Sequence, residues 1–200
     1  FNFPWSAAVV LSVVAVAGIG IMVDRIAYRP LRDAPRISAL ISAIGVSFFI
    51  ENVCIVVFSG IPRPVPSPEW LVRVVELGNV RILPLAVVVP VVSLLLVAFL
   101  FWVVYRTKPG LAMRAISKDI ETTRLMGVKV DHIIAMTFGL GSALAAAAGI
   151  MWSLRYPQIH PLMGIFPGFK AFIAAVIGGI GSIHGALVGG MMLGFIEIMI

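Results

Sequence analysis

The sequence predicts an all-α integral membrane protein, built as a polytopic bundle of transmembrane helices. The first reason is composition, since 60% of the 200 residues are hydrophobic and only 12% are charged. Soluble domains are about 45–50% apolar and about 25% charged. The second reason is that the apolar residues form long continuous runs, whereas the strands of a membrane barrel would alternate apolar and polar residues.

Four apolar runs reach the roughly 20 residues that a helix needs to cross the hydrocarbon core. They cover residues 4–23, 37–59, 82–104 and 133–152. A fifth region, residues 171–200, is about ten residues longer than one span requires. We treat residues 1–200 as a single transmembrane domain. Because the chain begins at Phe1 without Met and ends inside an apolar stretch, we expect that native N- and C-terminal parts are missing.

The basic residues predict the orientation of these spans. Residues 24–36 and 105–132 together hold ten of the fifteen Lys and Arg residues, so both connections should be cytoplasmic. Residues 60–81 and 153–170 should then face outside, with a short surface helix over residues 69–77. The net charge of +6 therefore reflects membrane orientation, and we expect no nucleic-acid partner.

The sequence lacks the motifs of several enzyme classes. It contains no HExxH metal motif, no GxSxG nucleophile elbow and no P-loop, so it does not predict catalysis, a metal site or ATP hydrolysis by this chain. We expect all four aspartates in loops, which excludes an intramembrane aspartate pair. They are Asp24, Asp33, Asp119 and Asp131.

Polar residues in the second span are candidates for a substrate path. A step of 100° per residue puts Ser42 and Asn52 on one stripe and Glu51 nearly opposite. Such residues usually face protein or a water-filled cavity, because hydrocarbon does not solvate them. Two interpretations remain open, namely a face that lines a substrate path and ordinary helix packing with serines bonded to their own backbone.

Glycines and other small residues predict close helix packing. On the fourth span Gly141, Ala145 and Gly149 form one small-xxx-small face, to which another helix should pack closely. The fifth region carries Gly181, Ser182 and His184 within a glycine-rich stretch. It is either one continuous, tightly packed helix or a broken helix whose freed backbone groups line a cavity. Whether it crosses the bilayer or re-enters stays open.

The long basic connection predicts a docking platform for a soluble partner. Residues 111–118 and 119–126 have the composition of two short helices, and Gly127 is placed to stop the second. Two short helices between spans would present a surface at the cytoplasmic face.

These residues resemble a known family. The segment Glu121-Thr-Thr-Arg-Leu-Met-Gly127 has the spacing of the E-A-A-x-x-x-G loop of ABC importer permeases, with threonines in place of both alanines. Six segments along the chain also resemble branched-chain amino acid permeases, the membrane subunits of bacterial high-affinity importers. They are Tyr28–Arg32, Gly110–Ile116, Arg124–Val128, Ala145–Gly149, Lys170–Phe172 and Gly178–Ala186.

The resemblance implies a complete transport machine in the bacterial inner membrane. Two homologous permease subunits would work with two ATP-binding cassette ATPase subunits, which bind the ATP, and with a periplasmic substrate-binding protein. The cargo would be branched-chain or other hydrophobic amino acids. The residues of the ATPase-coupling loop would be Arg114, Glu121, Thr122, Thr123, Arg124 and Gly127.

Two residues depart from the family pattern. His184 stands where such permeases often have Pro, and Glu51 stands where they often have Gln. These departures bear on the substrate, since relatives with the same motifs carry urea and short amides. An ion-coupled secondary transporter, which would use Glu51 and the glycine-rich helix without an ATPase, is the remaining alternative.

Overall fold

The computed structural model describes residues 5–31, 36–65, 75–77, 80–179 and 181–199. Most of these residues are helical, and four helices are long and apolar enough to cross a membrane. A fifth candidate span is a pair of helices that meet at a sharp bend. The prediction of an all-α polytopic membrane protein is therefore confirmed.

The described residues form eight α-helices and four short strands. The helices are α1 (Trp5–Val23), α2 (Arg36–Phe58), α3 (Pro84–Arg106), α4 (Lys108–Ile116), α5 (Ile120–Leu125), α6 (Val130–Arg155), α7 (Ile165–Gly178) and α8 (Ile183–Met199). The strands are β1 (Arg63–Pro64), β2 (Val75–Leu77), β3 (Val80–Ile82) and β4 (Gln158–Ile159). A π-helical turn, Asp24–Tyr28, and a 3-10 turn, Arg29–Leu31, continue α1.

The spanning helices follow the local sequence. α3 begins with Pro84 in its first turn, where the missing proline N–H has no intrahelical partner to lose. α6 has 26 residues, or about 39 Å at 1.5 Å per residue, which exceeds the hydrocarbon thickness of about 30 Å. It therefore extends beyond the apolar run at residues 133–152, and its ends carry Asp131 and Arg155.

The predicted surface helix over residues 69–77 is wrong for Val75–Leu77. These residues form β2 and pair antiparallel with β3, with Leu77 opposite Val80. The Gly-Asn sequence between the two strands is typical of two-residue hairpin connections. Residues 69–74 lie outside the described residues.

The prediction that all aspartates lie in loops is wrong for Asp24 and Asp131. Asp24 lies in the π-helical turn with only 1% of its surface exposed, and Asp131 lies in the first turn of α6. The helix that begins at Trp5 does not stop at the charged residue, because the turn buries Asp24 and continues to Leu31. Asp33 lies outside the described residues.

α1 and α6 pack closely through small residues. A Cβ added at Gly20 of α1 would lie 2.0 Å from the Ser142 hydroxyl oxygen, and one at Gly139 of α6 would lie 3.0 Å from Ile21. The contact continues past α1, where the Tyr28 and Phe138 rings lie 5.0 Å apart.

The face of α6 that we predicted to pack against another helix does not contact α1. A Cβ added at Gly141 or Gly149 would meet no atom within 4 Å, and Gly141 and Ala145 are exposed. Within the described chain, α1 therefore packs on the α6 face that carries Gly139 and Ser142, and not on the face that carries Gly141, Ala145 and Gly149.

The chain divides into two compact units. The first comprises Phe1–Ile50 and Pro64–Gln158, and contains α1 and α3–α6. The second comprises Glu51–Arg63 and Ile159–Ile200, and contains α7 and α8. Residues of α2 belong to both units.

Candidate functional site

A tight corner joins α3 to α4, the first short helix of the basic connection. Gly110 lies against the backbone of α3, because a Cβ there would approach the carbonyl oxygens of Val103 and Val104 to 2.2 and 2.4 Å. Thr107 caps α4 by accepting a hydrogen bond from the Gly110 N–H at 3.2 Å, and its hydroxyl donates to the Val103 carbonyl. The corner therefore holds the start of α4 directly against the last turn of α3.

Asp119 organises the second short helix, α5. Its carboxylate accepts hydrogen bonds from the backbone N–H groups of Glu121 and Thr122, at 2.9 and 3.2 Å, and from the Thr122 hydroxyl. The hydrogen bonds from Thr122, above all that from its hydroxyl, hold the pKa of the Asp119 carboxyl below its ordinary value. Asp119 thus satisfies N–H groups that the first turn of any helix leaves without intrahelical partners.

Gly127 ends this platform. Its φ of +80° lies in the left-handed region, which a glycine adopts without a steric penalty. Its N–H donates to the Arg124 carbonyl at 3.1 Å, so the chain leaves α5 in the manner typical of a helix-ending glycine. After this turn the chain enters α6 at Val130.

The platform rests on buried side chains. Val104 of α3, Thr123 of α5 and Val130 of α6 are buried, and α6 contacts both α4 and α5. The Thr123 hydroxyl donates to the Asp119 carbonyl at 2.6 Å. Thr123, which we predicted as a coupling residue, therefore faces inward and positions α5.

The outer face of the platform combines apolar and basic side chains. Leu125 is 88% exposed and Met126 is 79% exposed, and Leu111 and Ile120 are also exposed. An exposed apolar patch usually marks a surface that another protein or a membrane covers. The other predicted coupling residues also lie on the exposed side of the platform: Arg114, Glu121, Thr122, Arg124 and Gly127.

Arg114 of α4 contacts an aromatic ring of α3. Its guanidinium lies 5.1 Å from the centroid of the Tyr105 ring, within the range of a cation–π interaction. Tyr105 belongs to α3 and Arg114 to α4, so this contact adds to the corner at Gly110. The platform is consequently attached to α3 by a backbone contact and by a side-chain contact.

The glycine-rich region is a broken helix. α7 and α8 are bent by 120° relative to each other, and Gly179 and Gly181 at the break have φ of +90° and +98°. Ser182 directly precedes α8, and its hydroxyl oxygen accepts a hydrogen bond from the Gly185 N–H at 3.1 Å. A break was one of the two interpretations that the sequence allowed, and α7 also begins at Ile165, six residues before the expected start at 171.

The other interpretation, one continuous packed helix, is wrong, but glycines do pack the two arms of the break together. A Cβ at Gly185 would lie 1.7 Å from the Gly178 carbonyl oxygen, and one at Gly189 would lie 2.3 Å from the Ala174 carbonyl oxygen. The backbones of α7 and α8 therefore touch, which only glycine permits at such distances. The region is a broken helix and a closely packed one.

An ion pair joins the same two arms. Lys170 of α7 contacts the Glu197 carboxylate of α8. We expected Lys170 in an external loop, but it lies within α7. Each of these charges stands in an otherwise apolar stretch, where a charge requires a partner, and this pattern is a signal for the pair.

The predicted residues of the substrate path are distributed over both units. Glu51 and Asn52 of α2 belong to the second unit, together with Gly181, Ser182 and His184, whereas Ser42 belongs to the first. Ser42 and Glu51 are half-buried, and Asn52 and His184 are exposed. Ser182 is engaged in capping α8, as described above. Among the described residues, no three His, Cys, Asp or Glu side chains lie close enough to hold a metal ion.

Comparison with known proteins identifies similar transport permeases. Residues 2–200 match the family described as branched-chain amino acid transport system / permease component. The chain is 37% identical over 194 residues to the high-affinity branched-chain amino acid transport system permease protein BraD of Pseudomonas aeruginosa, covering 96% of this chain and 63% of that protein. It is also 37% identical over 195 residues to the corresponding protein LivH of Escherichia coli, with the same coverage of 96% and 63%.

A more distant relative carries a different name. The ribose import permease protein RbsC of Escherichia coli is 28% identical over 157 residues, which cover 74% of this chain and 42% of that protein. No solved structure matches the chain. The chain spans 63% of the length of BraD and LivH.

The long apolar helices and these relatives make the chain a multi-pass protein of the bacterial inner membrane. The family match extends over nearly the whole chain. The identity to BraD and LivH extends over 96% of it. The chain therefore belongs to the family of permease components of branched-chain amino acid transport systems.

Proposed function

We propose that this chain is a membrane subunit of an ATP-driven importer that carries branched-chain or other hydrophobic amino acids. The observation that carries the proposal is the α4–α5 platform, which is attached to two spanning helices and exposes Leu125 and Met126. Family membership and the printed functions of BraD and LivH support it. The chain itself is non-catalytic in this proposal, and separate ATP-binding cassette subunits bind and hydrolyse ATP.

The platform is suited to transmit a mechanical displacement. Gly110 of α4 contacts the backbone of α3 directly. A displacement of α4 would therefore move α3, because no flexible side chain lies between them to absorb it. The buried Thr123 and Val130 give α5 a similar support on α6. Movement of the ATPase subunits would thus shift two spanning helices together, as an alternating-access cycle requires.

The remaining parts of the machine complete the proposal. A second homologous permease subunit would form the other wall of the translocation path, and a periplasmic binding protein would deliver the amino acid. The path residues on this chain would be Ser42, Glu51, Asn52 and the break at Gly181, Ser182 and His184. The basic platform would face the cytoplasm, as its positive charge favours.

Truncation of the exposed apolar pair tests the proposal. The double variant Leu125→Ala, Met126→Ala should bind the ATPase subunits about tenfold more weakly or worse, which is the size of effect expected of apolar anchors in an interface. Substrate-stimulated ATP hydrolysis and uptake should fall in proteoliposomes that contain the assembled complex. Lys118→Ala is the matched control, since Lys118 is an exposed polar residue of the same connection.

Two outcomes would contradict the proposal. The double variant could retain full affinity and full coupling, in which case the platform is not the ATPase contact. Uptake by this chain without any ATPase, driven by an ion gradient, would instead support a secondary transporter.

A further inference from the structure

An open groove runs between the first half of α3 and the last turns of α6, within the first compact unit. Its volume is about 500 Å³. Leu85 and Val89 line one wall, and Ala148 and Met151 line the other. The lining is mainly apolar, so the groove favours an apolar occupant.

The polar groups of the groove select among apolar occupants. The Ser93 hydroxyl donates to the Met151 sulfur at 3.8 Å, so this hydroxyl already has a partner inside the protein. Arg155 is the one charged residue among the described residues that line the groove, and none of them carries a carboxylate. A zwitterionic amino acid would need a partner for its ammonium group, whereas an anion with a long apolar tail needs only Arg155.

The dimensions of the groove fit one leaflet of a bilayer. From Leu85 to Ser93 the groove follows α3 for about 12 Å at 1.5 Å per residue, close to the roughly 15 Å of hydrocarbon in one leaflet. Arg155 is the last residue of α6. Nearby, the Trp152 and Tyr156 rings lie 4.8 Å apart, and both residue types favour the headgroup level of a membrane.

We propose that this groove binds an anionic phospholipid, with one acyl chain between α3 and α6 and the phosphate against Arg155. The positive charge of Arg155 complements the net negative charge of the headgroup, and the apolar walls of the groove shield the acyl chain from water. The proposal is independent of the transported substrate. It assigns the groove to a structural lipid and not to the translocation path.

Photocrosslinking with defined lipids tests the assignment. The protein is purified with its partner subunits and placed in nanodiscs that contain either phosphatidylglycerol or phosphatidylcholine with a photoreactive group on the acyl chain. Crosslinks to the groove should favour phosphatidylglycerol about tenfold, because both lipids offer a phosphate to Arg155 but only phosphatidylcholine adds a cation that repels its guanidinium. Arg155→Gln should remove that preference. Arg106→Gln, at the opposite end of α3, should leave it unchanged.

Filling the groove provides the second arm of the test. Ala86 and Ala148 are exposed on opposite walls, so Ala148→Phe and, separately, Ala86→Trp should abolish crosslinks of both lipids at this position. Two variants on different helices guard against the failure of one to fold. Equal crosslinking of the two lipids in the unmodified protein overturns the proposal, as does a preference that survives Arg155→Gln. Crosslinks from a protein segment that fills the groove, or competition by a free amino acid, also overturn it.

Discussion

One methyl group at Gly110 should separate the platform from α3. The added Cβ of Gly110→Ala would lie 2.2 Å from the Val103 carbonyl oxygen, whereas ordinary van der Waals contact begins at 3.4 Å. The three atoms nearest to this Cβ are all backbone atoms, which cannot rotate away as a side chain would. The corner between α3 and α4 must therefore open by about 1 Å, since packed protein interiors leave no room for the overlap.

Two opposing effects set the size of the change. Alanine is favoured over glycine within a helix by about 0.8–1.0 kcal/mol. Overpacking of a filled site costs about 1–3 kcal/mol and occasionally more, and a clash with two carbonyl oxygens belongs at the upper end. We expect a net destabilisation of about 1–2 kcal/mol, together with weaker coupling between ATP hydrolysis and uptake.

Gly141→Ala is the matched control for this prediction. Gly141 is also a helical glycine of the first unit, but a Cβ there meets no atom within 4 Å. It should therefore show only the helical gain of up to about 1 kcal/mol. Thermal unfolding in detergent and substrate-stimulated ATP hydrolysis in the assembled complex measure both variants. If the two variants behave alike in both assays, the backbone contact at Gly110 does not hold the platform, and the reasoning is refuted.

Two further predictions concern charged groups. Lys170→Glu should reduce uptake, because it places two carboxylates together between α7 and α8. Adding Glu197→Lys should restore uptake, with an interaction energy of about 0.5–3 kcal/mol in the double-mutant cycle. A double variant that is as impaired as Lys170→Glu contradicts this prediction. The pKa of Asp119 is held below its ordinary value by the Thr122 hydroxyl, so its stabilisation of α5 is present above the unfolded pKa of about 3.9 and is lost as pH falls through the lower folded pKa. Protection of residues 120–125 from hydrogen exchange, relative to the intrinsic exchange rate at each pH, should accordingly be constant above about pH 4 and fall at lower pH. Asp119→Ala should lack this added protection above about pH 4; equal protection in both proteins there would count against the cap.

Local signals in the sequence were sufficient for the second short helix of the platform, whereas the first begins at Lys108 and not at the predicted residue 111. Asp119 and Gly127 are typical residues for the start and the end of a short helix, and the structure places them there around α5. The sequence did not show that Thr123 is buried while Thr122 is exposed, because the burial of Thr123 depends on the packing of α6 against α5. The roles of these residues in coupling stay predictions, since they depend on a partner subunit.

The glycine-rich region shows where sequence reasoning reached its limit. Glycines at spacing of four are compatible with a continuous packed helix and with a break, and the pattern does not separate the two. The structure shows the break, since positive φ at Gly179 and Gly181 interrupts the helix, and Gly185 lies against Gly178 across it. No local pattern indicates that the two arms turn toward each other.

The sequence by itself determined the class of this protein and the number of its candidate spans. A run of about 20 apolar residues has few alternatives to a membrane helix, because its backbone groups must be bonded within the segment in hydrocarbon. Only the tertiary structure decided which faces meet: Gly20 and Gly139 at the α1–α6 contact, Lys170 with Glu197, and the burial of Asp24. Helical periodicity shows which residues share a face, but the neighbour of that face is set by helices distant in the sequence.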